Sequence, residues 1–111
     1  MTTREERISL NEAVFREVNE RIETLAEKFD LGSMPLDLIC ECGDASCVQR
    51  IHMTKAEFEE LRSNSHHFAV YPGHVEPDVE SVVQRCSGYE IVSKHEGVPR
   101  EVAEKTDPRA H

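Results

Sequence analysis

Cys40-Glu41-Cys42-Gly43-Asp44-Ala45-Ser46-Cys47 packs three of the chain's four cysteines into eight residues. One residue separates the first two thiols. On extended backbone that spacing sends both side chains to the same face. Gly43 lets the chain turn sharply directly after Cys42. Asp44 and Ser46 are turn formers that bring Cys47 back toward the pair. Backbone N–H groups in such a turn can point at the sulfurs. The spacing is not the usual C-x-x-C knuckle, but three thiols on one tight turn can still reach a single ion. Zinc takes four thiolate or imidazole ligands in a tetrahedron, so a distant residue has to close the site.

Six histidines and Cys86 compete for that place. His74 is the expected fourth ligand. It follows Tyr71-Pro72-Gly73, and a Pro-Gly turn after a strand holds its neighbour in a defined position. Cys86 is the alternative, although its place at the end of a valine-faced helix suits a small buried hydrophobe. His52 alternates out of a strand just past the cluster. His66 and His67 sit at a helix end, where positive charge is favourable. Three thiolates and one imidazole make a full set, as in structural sites, whereas catalytic sites keep a position open. The expected cofactor is one structural Zn2+ per chain, held by Cys40, Cys42, Cys47 and His74, with iron less common for such a set.

Upstream, Ile8, Asn11, Phe15, Val18, Ile22, Leu25 and Phe29 follow a 3-4 spacing, the seam of a helix packed on another helix. Leu10 and Val14 widen that face. The pattern predicts a helix over about residues 9–31, with capping boxes at Ser9–Glu12 and at Thr3–Glu6 and a stop at Gly32. On the plain reading the seam covers the domain's own sheet. On the sharper one it meets a second copy or another protein, with Asn11 setting the register.

Residues 34–40 and 48–53 alternate, and read as two strands of a hairpin whose loop is the cysteine cluster. Thr54-Lys55-Ala56-Glu57 caps a short helix with Phe58 and Leu61 on one face, ended by Ser63-Asn64-Ser65. Residues 68–71 form a third strand. Pro77 is placed to open a helix with Val79, Val82 and Val83 inward, closed by Ser87-Gly88. Residues 89–94 are the last strand, 100–105 a short helix and 107–111 a frayed tail. The class is α+β: a small antiparallel sheet of about four strands, a long N-terminal helix, two short helices and a zinc-stabilised loop. The reading places all of this in one domain over residues 1–111, with the core at about 34–95 and a polar tail at about 96–111.

The chain has 111 residues, no Trp and a formal net charge of -9. A chain this size buries a modest core, so a metal or a partner adds useful stability. An acidic surface is repelled by phosphate backbones and anionic membranes. A short basic strip at Arg50, His52 and Lys55 does not offset this, which argues against nucleic acid. The N-terminal residues have no apolar h-region of a secretory signal, and no apolar run is long enough to span a bilayer. The expected compartment is the cytoplasm, where thiols stay reduced and clustered cysteines serve as metal ligands or redox groups.

Residues 11–22, Cys40-Glu41-Cys42-Gly43-Asp44 with Cys47, residues 54–58 and Pro72-Gly73-His74 together give an order and spacing that covers residues 11–94. In this the chain resembles a family of small uncharacterised actinobacterial proteins with a C-x-C-G-x3-C cluster and a P-G-H turn. The resemblance implies that the cysteines and the Pro-Gly-His turn belong to one module, which favours His74 over Cys86. It implies no activity. The functional expectation is a small zinc-binding module with a structural Cys3His site that acts as a regulatory protein–protein interaction domain. A thiol-based redox or metal sensor is the alternative. A metal-dependent hydrolase ranks below both, because H-E-x-x-H, the deaminase motif and a Gly-rich phosphate loop do not occur.

Overall fold

A computed structural model describes residues 3–29 and 34–109. Helix α1 (Arg4–Lys28) starts at Thr3, whose Oγ1 accepts the Glu6 N–H at 3.1 Å. The helix therefore begins earlier than the expected residue 9, and Ser9 and Glu12 lie inside it. The proposed stop at Gly32 falls outside the described residues. Strands β1 (Leu36–Ile39) and β2 (Arg50–Met53) follow, then α2 (Lys55–Arg62) and β3 (His67–Val70). Strands β4 (Glu80–Cys86) and β5 (Tyr89–Lys94) precede α3 (Val98–Lys105). Thr54 and Glu57 form the capping box that opens α2.

The fold is α+β, with the strands in two antiparallel sheets: the β1–β2 hairpin, and a second sheet in the order β3-β5-β4. The cysteine cluster is the loop of the hairpin, whose register pairs Leu36 with Met53 and Ile39 with Arg50. One expected element changes type. The segment opened by Pro77 contains β4, not a helix. Val79, Val82 and Val83 fit a helical face, but Val is β-branched and equally suited to a strand. Ser87-Gly88, expected as a helix stop, is the two-residue loop between Cys86 and Tyr89, and Gly88 takes a positive φ of 87° there. This fifth strand and the separation of the hairpin turn the expected four-stranded sheet into two sheets.

The core has two parts. Leu38, Ile51, Phe58, Leu61 and Ala69 lie between the hairpin, α2 and β3. Cys40, Cys42, Phe68, Val70, Val92 and Ala103 form the other part. The second part carries the metal-ligand candidates, so the cluster is rooted in the core instead of hanging from the surface.

Helix α1 packs on a different face from the expected one. The buried positions are Ser9, Glu12, Arg16, Asn19 and Glu23, together with Ile8 and Ala13. The polar five keep the 3-4 period, rotated onto a neighbouring face. Leu10, Val14, Leu25 and Phe29 are instead 44%, 60%, 52% and 66% exposed. Four of these five polar groups have partners, and the Ser9 hydroxyl has none among the described residues. Arg16 donates to the carbonyls of Ser65 (2.9 Å) and Ala103 (2.8 Å) and to Thr106 Oγ1 (3.0 Å). Its guanidinium lies 4.6 Å from the centre of the Phe68 ring, a cation–π contact. Lys94 donates to Glu12 and, at 3.1 Å, to Glu80. The tail expected to fray is clamped as far as Arg109, which pairs with Glu20 (2.9 Å), Glu23 (3.2 Å) and Glu59 (2.7 Å).

These groups generate two predictions. Burial, with Glu80 adding to it, raises the Glu12 carboxyl well above its usual value, so an amide is a close substitute for its protonated form. Glu12→Gln should therefore be mild, while Lys94→Met leaves the buried Glu80 carboxylate without its cation and should cost about 3–5 kcal/mol in urea melts. Glu23 is raised from 4.5 to about 7 by burial, with Glu59 next in weight. Its proton is held more tightly in the fold than in the unfolded chain. Its contribution to stability is therefore full below the unfolded value of 4.5 and lost as pH rises through about 7. The gap in melting midpoint between Glu23→Gln and the parent should widen, in favour of Gln, from about pH 5 to about pH 8.

Candidate metal centre

Just past β1 the Cys40 N–H donates to the Gln49 carbonyl (3.1 Å), and the Glu41 N–H donates to the Ala69 carbonyl of β3 (2.9 Å). Side chains alternate along this stretch. Cys40 and Cys42 point into the core beside Phe68 and Val92, and Glu41 points the other way. Its carboxylate is fully buried and saturated. It accepts Arg62 at 2.8 and 3.1 Å, Asn19 Nδ2 at 2.8 Å and the Ala69 N–H at 3.0 Å. Bidentate guanidinium–carboxylate pairing fixes direction as well as distance.

The turn after Cys42 rests on α1. A Cβ at Gly43 would run into Ile8 Cγ2, and the Gly43 carbonyl accepts Asn11 Nδ2 at 3.0 Å. The Asp44 carboxylate accepts the Ser46 N–H (2.9 Å) and hydroxyl (2.7 Å), and these bonds hold it below the usual carboxylate range. The Cys47 N–H then donates to the Asp44 carbonyl at 3.0 Å, which carries the third thiol back over the first two.

His74 arrives from the end of β3. Its N–H donates to the Tyr71 carbonyl at 2.9 Å. Pro72 sits at the second position of this turn and Gly73, with φ at 86°, at the third, the residue pattern of a type II turn. The Gly73 N–H donates to Glu90 at 3.0 Å, and the Tyr71 ring meets His74 edge-on at 5.3 Å. The imidazole Nδ1 lies 3.7 Å from Cys40 Sγ and 3.6 Å from Cys47 Sγ.

The ligand atoms of Cys40, Cys42, Cys47 and His74 all lie within 4.8 Å of one another. This is a group able to hold one metal ion. Cys40 and Cys42 are buried, and Cys47 and His74 are half-buried. The Tyr71 N–H donates to Cys40 Sγ at 3.1 Å, while the backbones of Asp44 and Gln49 serve Cys42 and Cys47. The Cys42 thiol is pushed up by its hydrogen bond with Cys40 and then by burial. Burial also raises Cys47. Crowded sulfurs resist ionising together unless a cation sits among them, and metal binding releases their protons.

Of the competing ligands, Cys86 packs at the edge of the first core part and is not in this group. His52 pairs with Asp37 (3.2 Å), His66 with Glu104 (2.7 Å) and His95 with Ser81 (2.8 Å). The sequence reading missed Glu41, Arg62 and Asn19 as supports of the site. One signal was present. The residue between two cysteines on one face must point to the other face, and a carboxylate sent into a core needs a cation.

No protein-family model matches the chain, and no curated protein or solved structure matches it. A functional reading therefore rests on the geometry.

Cys40→Ser, Cys42→Ser, Cys47→Ser and His74→Ala should each lose bound metal, measured as metal per chain, while Cys86→Ser should keep it. Arg62→Met leaves the Glu41 carboxylate buried and alone. It should weaken metal affinity by about 10–100-fold in competition with a chelating dye.

Proposed function

We propose that the chain is a zinc-stabilised interaction module, in which one Zn2+ on Cys40, Cys42, Cys47 and His74 has a structural role. One observation carries this reading. Bonds of about 2.3 Å to sulfur and about 2.0 Å to nitrogen place a thiolate–imidazole edge of a zinc tetrahedron at roughly 3.5 Å. Two of the three such edges here, from Cys40 and Cys47, measure 3.7 and 3.6 Å, and the Cys42 sulfur lies within 4.8 Å of the other ligand atoms. The donor set suits zinc by ligand softness. Four protein ligands leave no position for water or substrate, which supports a structural role over a catalytic one. The nearby carboxylates support it as well: Glu41 faces away into its ion pair with Arg62, and Asp44 is engaged by Ser46. The apolar face that α1 turns to solvent supports a role in binding another protein. No helix among the described residues is long and apolar enough to cross a membrane.

Cobalt substitution tests the reading. A closed tetrahedral site should give intense visible bands that an added anion does not move. Bands that shift with the anion would reveal an open position and overturn the structural role. Chelation should remove the metal and lower the melting temperature cooperatively.

A redox sensor is the second reading, and the half-exposure of Cys47 favours it. Peroxide would be reduced to water as two thiolates join in a disulfide and the zinc leaves. Zinc retained under mild peroxide would remove that reading.

A further inference from the structure

We propose that the exposed face of α1 is the interface of an antiparallel homodimer. This rests on the reading of the chain as an interaction module and names its partner as a second copy. The face runs through Leu10, Val14, Val18, Arg21, Leu25 and Phe29, spaced 4, 4, 3, 4 and 4. That spacing is the same read from either end. A two-fold axis between Val18 and Arg21 therefore sets Leu10 level with the partner's Phe29 and Val14 level with the partner's Leu25. Isologous interfaces need a surface that is complementary to itself, and this spacing meets that condition.

Packing and charge agree with that axis. Leu10–Val14–Val18 and Arg21–Leu25–Phe29 are two ridges of i, i+4 steps. A groove lined by Leu10, Val14, Glu17, Val18, Arg21 and Thr106 runs along the N-terminal half of the face to its centre, and Leu25, Phe29 and Met34 bound an apolar one at the far end. The two-fold brings the partner's Phe29 to the first groove and the partner's Leu10 to the second. Arg21, paired with Glu17 of its own helix at 3.7 Å, comes within one residue step of the partner's Glu17. The four charges at the centre alternate in sign. Arg7, Arg21 and Lys28 are exposed along the face and Glu17 is half-buried there, so the net charge of -9 is carried elsewhere.

The test is native mass spectrometry and sedimentation of the full, zinc-loaded chain under reductant. Twice the chain mass is expected for the parent. Val14→Asp and Leu25→Asp each bury a lone charge at the crossing and should weaken the dimer by about 100-fold, with metal content and helicity unchanged. Glu17→Arg and Arg21→Glu should each dimerise poorly alone, and an equimolar mixture should form the heterodimer. A parent chain that stays monomeric to its solubility limit overturns the dimer, as does a dimer that ignores all four substitutions. Metal content comes from the same spectra. A zinc-loaded monomer sinks the dimer and leaves the proposed function standing. A chain that holds no zinc sinks that function, and its mass still answers the question of the dimer.

Discussion

The buried ion pair between Glu41 and Arg62 is the interaction on which the rest of the structure depends. Glu41 lies between the first two cysteines, so fixing its carboxylate fixes both sulfurs on the opposite face. Four donors reach it from three elements: Arg62 twice from α2, Asn19 from α1 and the Ala69 N–H from β3. A buried charge pair adds little net stability, because taking both ions out of water costs about as much as their attraction returns. Its contribution is direction. Three elements must meet at one carboxylate, and only one arrangement of hairpin, α1 and α2 lets them do so. The candidate metal centre inherits its geometry from that requirement.

The same economy explains why α1 buries its polar side. Three backbone ends meet beneath it. The Ile39 carbonyl and N–H at the end of β1 bond to Asn19 at 2.9 Å each. The Ser65 carbonyl ends the turn after α2, and the Ala103 carbonyl belongs to the last turn of α3. Carbonyls in a last helical turn have no partner of their own, and a guanidinium beside them also meets the favourable end of the helix dipole. Arg16 supplies that group. A wholly apolar face would have left these polar atoms dry and unpaired, at about 1–3 kcal/mol each.

The grouping of Cys40, Cys42, Cys47 and His74 was legible in the sequence because its signals are local. C-x-C spacing, Gly43 and the Pro72-Gly73 turn act within a few residues, and they fix where thiols and imidazole point. Only the distance between hairpin loop and turn is tertiary, and the likeness of ligand type covered that gap. The orientation of α1 was not legible. Its expected apolar seam, of which Phe15, Val18 and Leu25 are not buried, has the right period, and so does the polar seam that packs. Choosing between them requires the carbonyls of residues 39, 65 and 103, which lie far along the chain. The error at β4 has a different origin. Valines spaced for a helix are also good strand residues, and Ser87-Gly88 closes a hairpin as readily as it ends a helix.

A helix held by its polar side is a prepared surface on its apolar side. Side-chain bonds from Asn11, Arg16 and Asn19 pin α1 along its length, and Gly43 allows the metal loop to press against Ile8. Association loses free energy to every segment that must be ordered on contact. Here the backbone of the exposed face is already ordered by groups that have no share in the contact. The polar seam, the ion pair at Glu41 and the cysteine loop thus converge on one mechanical result, a helix fixed in place with Leu10, Val14 and Leu25 facing outward.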